Sequence, residues 1–425
     1  MNILKEVLEH EVFPALGCTE PIAVAYAAAT AAECNPGEIL ELRVSVDGGV
    51  YKNGYAVTVP NTGGRQGNLI AAACGALEKK PHLKMENLRE ITMDTVSAAQ
   101  KLCDEGKASI TWDETKRELF IEATVVTREH VSKAVIQGSH RNITLCTLDG
   151  EEIINRKVEK ASKPYRDILR NLTIADFVEA AENLDDEDRK FIKEGIFMNM
   201  EMARQGQTLH KVGYFISDLR EKGFLLNDVF SSSKILTAAA ADARMAGVPK
   251  PVMASGGSGN QGIVAILVPF NVGKYFNIPE EKILKSIALT HLVNSYVKCF
   301  TGDLSPLCGC AIASGLGAAT GIVYQHCGPD MDKITLAVNT VVSDLGGMLC
   351  DGAKGSCALK VASSTESAIL AAYMAINSHG ITEIEGFVGK TAEETIKYLG
   401  EIGHQGMATA DNTMLRIMTE KRRPI

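Results

Sequence analysis

Hydrophobic residues follow two different periods in the first part of this chain. Helical spacing of apolar residues predicts helices over 2–14, 22–33, 66–79 and 86–105. Alternation of apolar and polar residues predicts strands within 39–60, 108–127 and 130–149. In the first of these segments Gly48-Gly49 is typical of a turn between two strands, and the other two segments predict four more. These elements predict an α+β unit with a mostly antiparallel sheet.

The second part of the chain has an almost purely helical pattern. Helices are predicted over 174–182, 186–204, 211–222, 230–245, 280–298, 308–326, 330–345, 358–378 and 391–402. The apolar run 263–270 fits either a strand or a buried helix. A charged connector over 155–166 precedes this part, so we place a domain boundary there. The predicted fold class is α+β, with a smaller N-terminal α/β domain (1–160) and a large, mainly helical C-terminal domain (161–425).

Composition narrows the class of protein. The chain has 425 residues, of which 45% are hydrophobic, and a formal charge of −8, so we expect a globular protein that does not bind nucleic acid. The N-terminus lacks the basic and apolar regions of a signal peptide. Ala313, Gly317 and Gly321 leave one face of a helix without bulk, which suits close packing against another helix better than a membrane span. Eleven irregularly spaced cysteines indicate a reducing compartment, so we expect a cytoplasmic location.

The cysteines between 308 and 357 are the main candidates for chemistry. Cys308, Cys350 and Cys357 have the spacing C-x41-C-x6-C, which is neither a zinc ribbon nor a ferredoxin run. Thiolates suit zinc, copper(I) and iron–sulfur clusters. Three thiolates on a [4Fe–4S] cluster would leave one iron open to substrate. Buried cysteines that only fill a core have the same appearance in a sequence. Cys310 is expected to point away from the other three.

Six sequence blocks carry a resemblance that covers essentially the whole chain. They are A-L-G-C-T-E-P (15–21), V-P-N-T-G-G (59–64), D-A-R-M-A-G (242–247), S-G-G-S-G-N-Q-G (255–262) and the two cysteine blocks that begin at 308 and 346. In this order they resemble the cysteine desulfidase family, which is related to the iron–sulfur L-serine dehydratases. The resemblance implies a [4Fe–4S] cluster and elimination of sulfide from L-cysteine. By motif, its ligands are Cys308, Cys350 and Cys357.

Cys18 is the candidate general base. Thr19 is a predicted N-cap, which would place Cys18 just before a helix N-terminus, where the local positive potential lowers a thiol pKa. A thiol with a lowered pKa suits proton abstraction near neutral pH. Cys18 could equally be a fourth cluster ligand, or a core cysteine beside a turn.

Two polar loops are candidates for binding the substrate carboxylate. Asn61 and Thr62 precede two glycines after a predicted strand, where backbone N–H groups can approach an anion. In the second loop the candidate donors are Ser255, Ser258, Asn260 and Gln261. This loop contains G-x-G-x-x-G, but we discount a dinucleotide site because no clear strand precedes it and the run after it is too apolar and short. We expect both loops to face one cleft beside the cysteines.

The sequence favours a lyase that converts L-cysteine to pyruvate, ammonia and hydrogen sulfide. The first alternative is L-serine dehydration by the same cluster, since iron could equally assist the departure of hydroxide. Cysteine is preferred because Cys350 and Cys357 are separated by six residues, whereas the serine enzymes resemble C-x10-C. The second alternative is a non-catalytic iron–sulfur sensor. The oligomeric state stays open, and a homodimer is one expectation.

Overall fold

The computed structural model describes residues 2–15, 17–116, 118–156 and 164–421. The strands are β1 (Pro14–Ala15), β2 (Glu41–Val46), β3 (Ala108–Trp112), β4 (Phe120–Val126), β5 (Val131–Gln137), β6 (Ile143–Leu148), β7 (Glu151–Asn155) and β8 (Val252–Met253). The helices of the first part are α1 (Ile3–Glu11), α2 (Thr19–Glu33), α3 (Gly48–Gly54), α4 (Asn68–Glu78) and α5 (Met93–Asp104).

The remaining helices are α6 (Pro164–Leu169), α7 (Ile174–Glu182), α8 (Asp186–Gln207), α9 (Val212–Glu221), α10 (Val229–Met245), α11 (Gly259–Tyr275), α12 (Glu280–Thr301), α13 (Ile312–Cys327), α14 (Met331–Leu345), α15 (Cys357–Ile376), α16 (Ala392–Glu401) and α17 (Ala408–Glu420). The predicted α+β class is confirmed, with a sheet in the first part and helices after it. The predicted domain boundary at 160 lies outside the described residues and stays a prediction.

A six-stranded sheet of order β3-β2-β4-β5-β6-β7 forms the centre of the first part. Only the β2–β3 pair is parallel among its neighbouring strands. In β2 the alternate residues Leu42, Val44 and Val46 are buried, which is the period-2 pattern of a strand with one face in a core. The alanine-rich α2 covers this face together with α4.

The second part is a helical layer built around α11, α12 and α13. Gly317 and Gly321 of α13 lie against α12. A Cβ atom added at Gly317 would stand 2.7 Å from the carbonyl oxygen of Thr290, and one added at Gly321 would stand 2.6 Å from the Thr290 hydroxyl. The small-residue face of this helix therefore lets α12 approach closely, as the sequence indicates. No helix in the described part of the chain is long and apolar enough to cross a membrane.

The predicted hairpin over 39–60 is wrong in its second half. Asp47 accepts hydrogen bonds from the backbone N–H groups of Gly49 (2.8 Å) and Val50 (3.1 Å), so the glycine pair starts α3 instead of a turn. The alternating run after it contains only an isolated bridge between Thr58 and Gln66. The ambiguous run 263–270 lies inside α11, and this helix has no amphipathic stripe because nearly all its residues are buried.

Among the contacts that join the first part of the chain to the helical layer, two lie near the candidate site. Strand β1 pairs antiparallel with β8, which brings the chain before α2 beside the loop that opens α11. Helix α17 packs against α3, where Lys52 Nζ lies 2.6 Å from Asp411 Oδ1. Lys52 is 1% exposed in its side chain, so this ion pair is largely withdrawn from water. Both contacts border the cysteine-rich loops described next.

Candidate active site

Two short loops, 306–310 and 348–352, carry Cys308 and Cys350 and are here called the cysteine loops. They are joined as a short antiparallel bridge between Leu307 and Leu349. The N–H of Cys308 donates to Met348 (2.9 Å), and the N–H of Cys350 donates to the carbonyl of Pro306 (2.6 Å). This pairing brings Cys308 and Cys350 close enough for each thiol to influence the pKa of the other, although the residues lie far apart in sequence.

Cys357 completes the group as the first residue of α15. Its Sγ lies 3.6 Å from the carbonyl of Gly352, and its thiol interacts electrostatically with that of Cys350. Gly352 has φ of +94°, and a Cβ atom there would collide with the carbonyl oxygen of Lys52 in α3. Glycine is therefore required where the cysteine loop meets the first part of the chain. All these cysteines are reduced.

The surroundings of the three thiols oppose ionisation in the absence of a metal. Hydrogen bonding to Cys310 and burial raise the pKa of Cys308 to about 12, although a hydrogen bond with Cys350 acts the other way. The contact with Cys308, together with burial, raises the pKa of Cys350 well above its usual range, and burial raises that of Cys357. Lys360 lowers the pKa of both Cys308 and Cys357, so a positive charge is already placed to favour thiolates.

Cys310 lies nearer to the other thiols than expected. Its thiol acts electrostatically on that of Cys308, and its Sγ lies 3.9 Å from Ser258 Oγ. The chain turns sharply from Cys308 towards α13, since the N–H groups of Ala311 and Ile312 both donate to the Cys308 carbonyl. This tight turn brings the thiols on either side of Gly309 together.

The thiols of Cys308, Cys350 and Cys357 are soft donors, which suit zinc, copper(I) and iron–sulfur clusters. Within the described ranges, no group of three or more His, Cys, Asp or Glu side chains is arranged to hold one metal ion. A structural zinc site needs ligands that converge tetrahedrally on one point. The cysteine ligands of a cluster bind different irons, so neighbouring thiols spread over two loops and a helix start can serve. The residues present fit that chemistry.

Cys18, and not Thr19, is the N-cap of α2, and it makes no side-chain capping hydrogen bond. Its Sγ donates to Glu20 Oε2 at 2.8 Å. Burial, followed by the negative charge of Glu20, raises the pKa of Cys18 well above the usual thiol range, although Arg244 acts in the opposite direction. The predicted lowering of this pKa is therefore wrong, because burial and a nearby carboxylate outweigh the helix N-terminus.

Glu20 is a buried carboxylate that sequence reasoning missed. Besides Cys18, it accepts hydrogen bonds from Thr19 Oγ1 (3.2 Å) and Asn53 Nδ2 (3.1 Å). Burial alone would raise its pKa, but the charge of His140 and these donors outweigh burial and lower it. Glu20 is thus held ionised as the acceptor of the Cys18 proton. The only signal in the sequence was its place two residues after the cysteine.

The loop that opens α11 lies between Cys18 and the cysteine loops. Arg244 donates to the carbonyl of Gly17 (2.8 Å) and to Asn260 Oδ1 (3.2 Å). At the other end, Ser258 contacts Cys310, and the amide of Gln261 packs directly against Gly309. Of the predicted residues, Ser258, Asn260 and Gln261 therefore lie along one path from Cys18 to the thiols.

Ser255 has a different position in this loop. It is fully buried, its hydroxyl accepts from Asn294 Nδ2 (3.0 Å), and it lies 2.8 Å from His291 Nδ1. Burial lowers the pKa of His291 to about 3, so the imidazole is neutral. The contacts with His291 and Asn294 therefore attach Ser255, and with it the loop, to α12.

Arg244 is a second residue that the sequence analysis did not single out, although it lies inside the D-A-R-M-A-G block. It is 8% exposed, and its Nε has no hydrogen-bond partner among the described residues. Gly259 makes room for it, because a Cβ atom there would collide with the guanidinium. A buried N–H group without a partner is costly, and a carboxylate is its natural acceptor.

Asn61 and Thr62 are engaged within their own loop. Asn61 Nδ2 donates to the carbonyls of Leu88 (3.2 Å) and Arg89 (3.4 Å), and Thr62 Oγ1 donates to Val59 (2.7 Å). The adjacent Pro60 packs against Gly17, one residue before Cys18. The loop therefore borders the Cys18 end of the path, with its side chains already used. That this loop binds an anion stays a prediction, and the donors would be its backbone N–H groups.

The structure also argues against a dinucleotide site at the G-x-G-x-x-G sequence. A short strand, β8, does precede the glycines and α11 follows them, but β8 pairs only with β1, and antiparallel. A nucleotide site of this type needs a parallel βαβ unit. The expectation that the following run is too short for a helix was wrong, since it forms part of the 17-residue α11.

Comparison with known proteins identifies the family. The model of the family described as serine dehydratase alpha chain matches residues 67–416. A UPF0597 protein of Geobacter sulfurreducens is 56% identical over 425 residues, covering 99% of both chains. Another, from Elusimicrobium minutum, is 50% identical over 422 residues, covering 99% of this chain and 100% of the relative.

A UPF0597 protein of Clostridium tetani is 38% identical over 422 residues, covering 99% of both chains. No solved structure matches. The matched family range includes Arg244 and all three candidate ligand cysteines, and it begins after Cys18. The chain belongs to the serine dehydratase alpha chain family of iron–sulfur lyases.

Proposed function

We propose that this protein is an iron–sulfur lyase that eliminates sulfide from L-cysteine to give pyruvate, ammonia and hydrogen sulfide. The observation that carries the proposal is one continuous path of contacts. It runs from Cys18 and Glu20 through Arg244 and the loop that opens α11 to the thiols of the cysteine loops. It therefore joins a proton acceptor, a carboxylate binder and a set of soft metal ligands.

Cys308, Cys350 and Cys357 are the proposed ligands of a [4Fe–4S] cluster. Such a cluster, when bound, supplies a Lewis-acidic iron that makes sulfide a better leaving group. The cationic Lys360, held by Leu349 O (2.6 Å) and Asp351 Oδ1 (2.7 Å), would stabilise the three thiolates. Metal binding must deprotonate these thiols, so we expect it to release protons.

Cys18 and Glu20 are proposed to remove the substrate α-proton together. Cys18 is protonated at rest, so it can accept a proton only as its own proton moves to Glu20 Oε2, 2.8 Å away. The raised pKa of Cys18 makes the thiolate formed in this way a strong base. The electrons of the Cα–H bond form the Cα–Cβ double bond as the Cβ–S bond breaks. The aminoacrylate product then tautomerises and is hydrolysed to pyruvate and ammonia.

Arg244 is proposed to bind the substrate carboxylate through its free Nε–H, with Ser258, Asn260 and Gln261 beside it. Gln261 Oε1 is also buried without a hydrogen-bond partner among the described residues, and a carbonyl oxygen is an acceptor for the α-ammonium group. The site would therefore recognise both charged groups of an α-amino acid. The Asn61–Thr62 loop is a further candidate for the carboxylate.

L-Serine dehydration is the second candidate, and the family match favours it directly. The six-residue spacing between Cys350 and Cys357 favours cysteine.

The test is anaerobic purification, reconstitution with iron and sulfide, and separate measurement of pyruvate from L-cysteine and L-serine. We expect pyruvate and stoichiometric sulfide from L-cysteine, with a lower kcat/KM for L-serine. A higher kcat/KM for L-serine would make L-serine the substrate of the same proposed mechanism. A brown protein that forms pyruvate from neither substrate would overturn the lyase proposal in favour of an iron–sulfur sensor.

A further inference from the structure

A pair of thiols lies between α2 and the sheet of the first part, outside the proposed site. Cys34 follows the last residue of α2, and Cys146 lies in β6. Their Sγ atoms are 3.5 Å apart, although the residues are separated by 112 positions in the chain. We propose that Cys34 and Cys146 form a disulfide by exchange with a low-molecular-weight disulfide, so that this pair is a redox modification site.

The geometry of the pair suits bond formation. A disulfide has an S–S length of about 2.05 Å, so the two sulfurs must approach by roughly 1.5 Å. Cys34 lies at the C-cap of α2, outside the regular helix, where a small change of side-chain rotamer is least constrained. The pairing of β6 with β7 changes register between Cys146 and Thr147, and such irregularities re-aim side chains.

The two thiols have unequal roles. Cys34 is partly exposed, whereas Cys146 is only 2% exposed. The hydrogen bond between the two thiols lowers the pKa of Cys34 to about 7, while the same contact raises the pKa of Cys146. An accessible, low-pKa thiol beside a second thiol is the arrangement of a nucleophilic cysteine and its resolving partner.

The exchange balances in two steps. The Cys34 thiolate attacks one sulfur of the small disulfide, which forms a mixed disulfide and expels one thiolate. Cys146 then attacks Cys34 Sγ, expels the second small thiol and transfers its proton to it. The protein loses two electrons and the small disulfide gains them, so no further oxidant is needed.

The bond would connect α2 to the sheet on which it packs. It closes a loop across 112 positions that contains β2 to β5, and closing a long loop restricts the unfolded chain. Because α2 carries Cys18 at its other end, the link fixes the far end of the helix that presents the proposed base. The oxidised protein should therefore unfold at a higher temperature than the reduced one.

The experiment treats the full-length protein anaerobically with oxidised glutathione, blocks remaining thiols by alkylation and analyses its peptides by mass spectrometry. We expect one linked peptide that contains Cys34 and Cys146, with release of two glutathione molecules per link. Cys146→Ser should stop at a mixed disulfide on Cys34. Cys327→Ser is the matched control, since it removes another partly exposed thiol, and it should form the link like the wild type.

The wild-type protein alone can overturn the proposal. A glutathione adduct that persists on Cys34 with Cys146 still open to alkylation would contradict it. So would the absence of reaction at both residues while other partly exposed thiols are modified. Neither result bears on the proposed lyase, because the exchange needs no cluster and leaves Cys308, Cys350 and Cys357 unchanged.

Discussion

The thiols of Cys308, Cys350 and Cys357 and the pair Cys34–Cys146 are all reduced, yet their surroundings differ. The first group lies in two loops and at one helix start of the helical layer, where burial contributes to raising the pKa of each thiol. Between α2 and the sheet, the hydrogen bond with Cys146 lowers the pKa of Cys34 to about 7. Proximity of thiols therefore does not decide their chemistry. Accessibility and neighbouring charge separate a metal-binding group from a nucleophile and its partner.

The largest expected effect separates the two groups by substitution. Cys308→Ser, Cys350→Ser and Cys357→Ser should each lose bound iron and fall to background pyruvate formation, because each removes a proposed thiolate ligand. Cys34→Ser should keep about four irons per chain, as expected for a [4Fe–4S] cluster, with activity near that of the wild type. Iron analysis and pyruvate assays measure both. If Cys34→Ser lost as much iron as the three ligand variants, the two groups of thiols would not have separate roles.

Cys310→Ser sharpens the same comparison within the cysteine loops. Cys310 contacts Cys308, so proximity alone would make it a ligand. We expect this variant to retain iron at near wild-type stoichiometry, since three other thiols remain. Iron loss equal to that of the Cys308 variant would add Cys310 to the ligand set.

The next effect concerns the thiol that belongs to neither group. Cys18→Ser and Glu20→Gln should keep iron and lower turnover by about 10²–10⁴-fold, the usual contribution of a general base. Deuterium wash-in at the substrate α-carbon should fall in parallel. Cys74→Ser is the control, because it changes another buried thiol of the first part that lies outside the proposed path. Labile iron in the Cys18 variant, with turnover by the cluster that remains, would make Cys18 a fourth ligand instead.

Arg244→Lys should weaken substrate binding more than it slows chemistry. A hydrogen bond to a charged group contributes about 1.5–3 kcal/mol, so KM should rise about 10- to 100-fold. Arg204→Lys is the control, since Arg204 is exposed and pairs with Glu201 at the surface. Steady-state kinetics with L-cysteine decide the matter. A KM that is unchanged in Arg244→Lys would remove Arg244 from the site.

The smallest expected effect is on stability. Lys52→Met leaves the carboxylate of Asp411 unpaired and should lower the free energy of unfolding by about 3 kcal/mol, the lower end for breaking a buried pair because Asp411 is 27% exposed. The double variant Lys52→Met/Asp411→Leu should recover most of this loss. Urea unfolding of each protein measures the difference. If the single variant Asp411→Leu, which leaves Lys52 without this partner, were as stable as the wild type, the pairing would be contradicted.

Local patterns in the sequence were sufficient for much of the fold. Helix α7 has its predicted bounds of 174–182, because Thr173 and Asp176 form a reciprocal capping box before an amphipathic segment. Helix α11 was missed because burial on all sides removes its periodicity. Helix α3 was missed because the capping role of Asp47 outweighed the strand pattern around it.

The candidate site was predictable only where a motif marked it. The blocks around the cysteines pointed to Cys308, Cys350 and Cys357, and the structure places the first two on bridged loops and the third at the start of α15. Arg244 was missed because its bond to the Gly17 carbonyl joins residues 227 positions apart. The pKa of Cys18 was predicted in the wrong direction, because burial and the orientation of Glu20 depend on tertiary packing.

Anomalous iron scattering from a crystal grown without oxygen tests the central claim most directly. We predict iron peaks from one cluster in contact with the Sγ atoms of Cys308, Cys350 and Cys357, with one iron facing the loop that opens α11. Iron at any other group of residues, or a single ion in place of a cluster, would contradict the account.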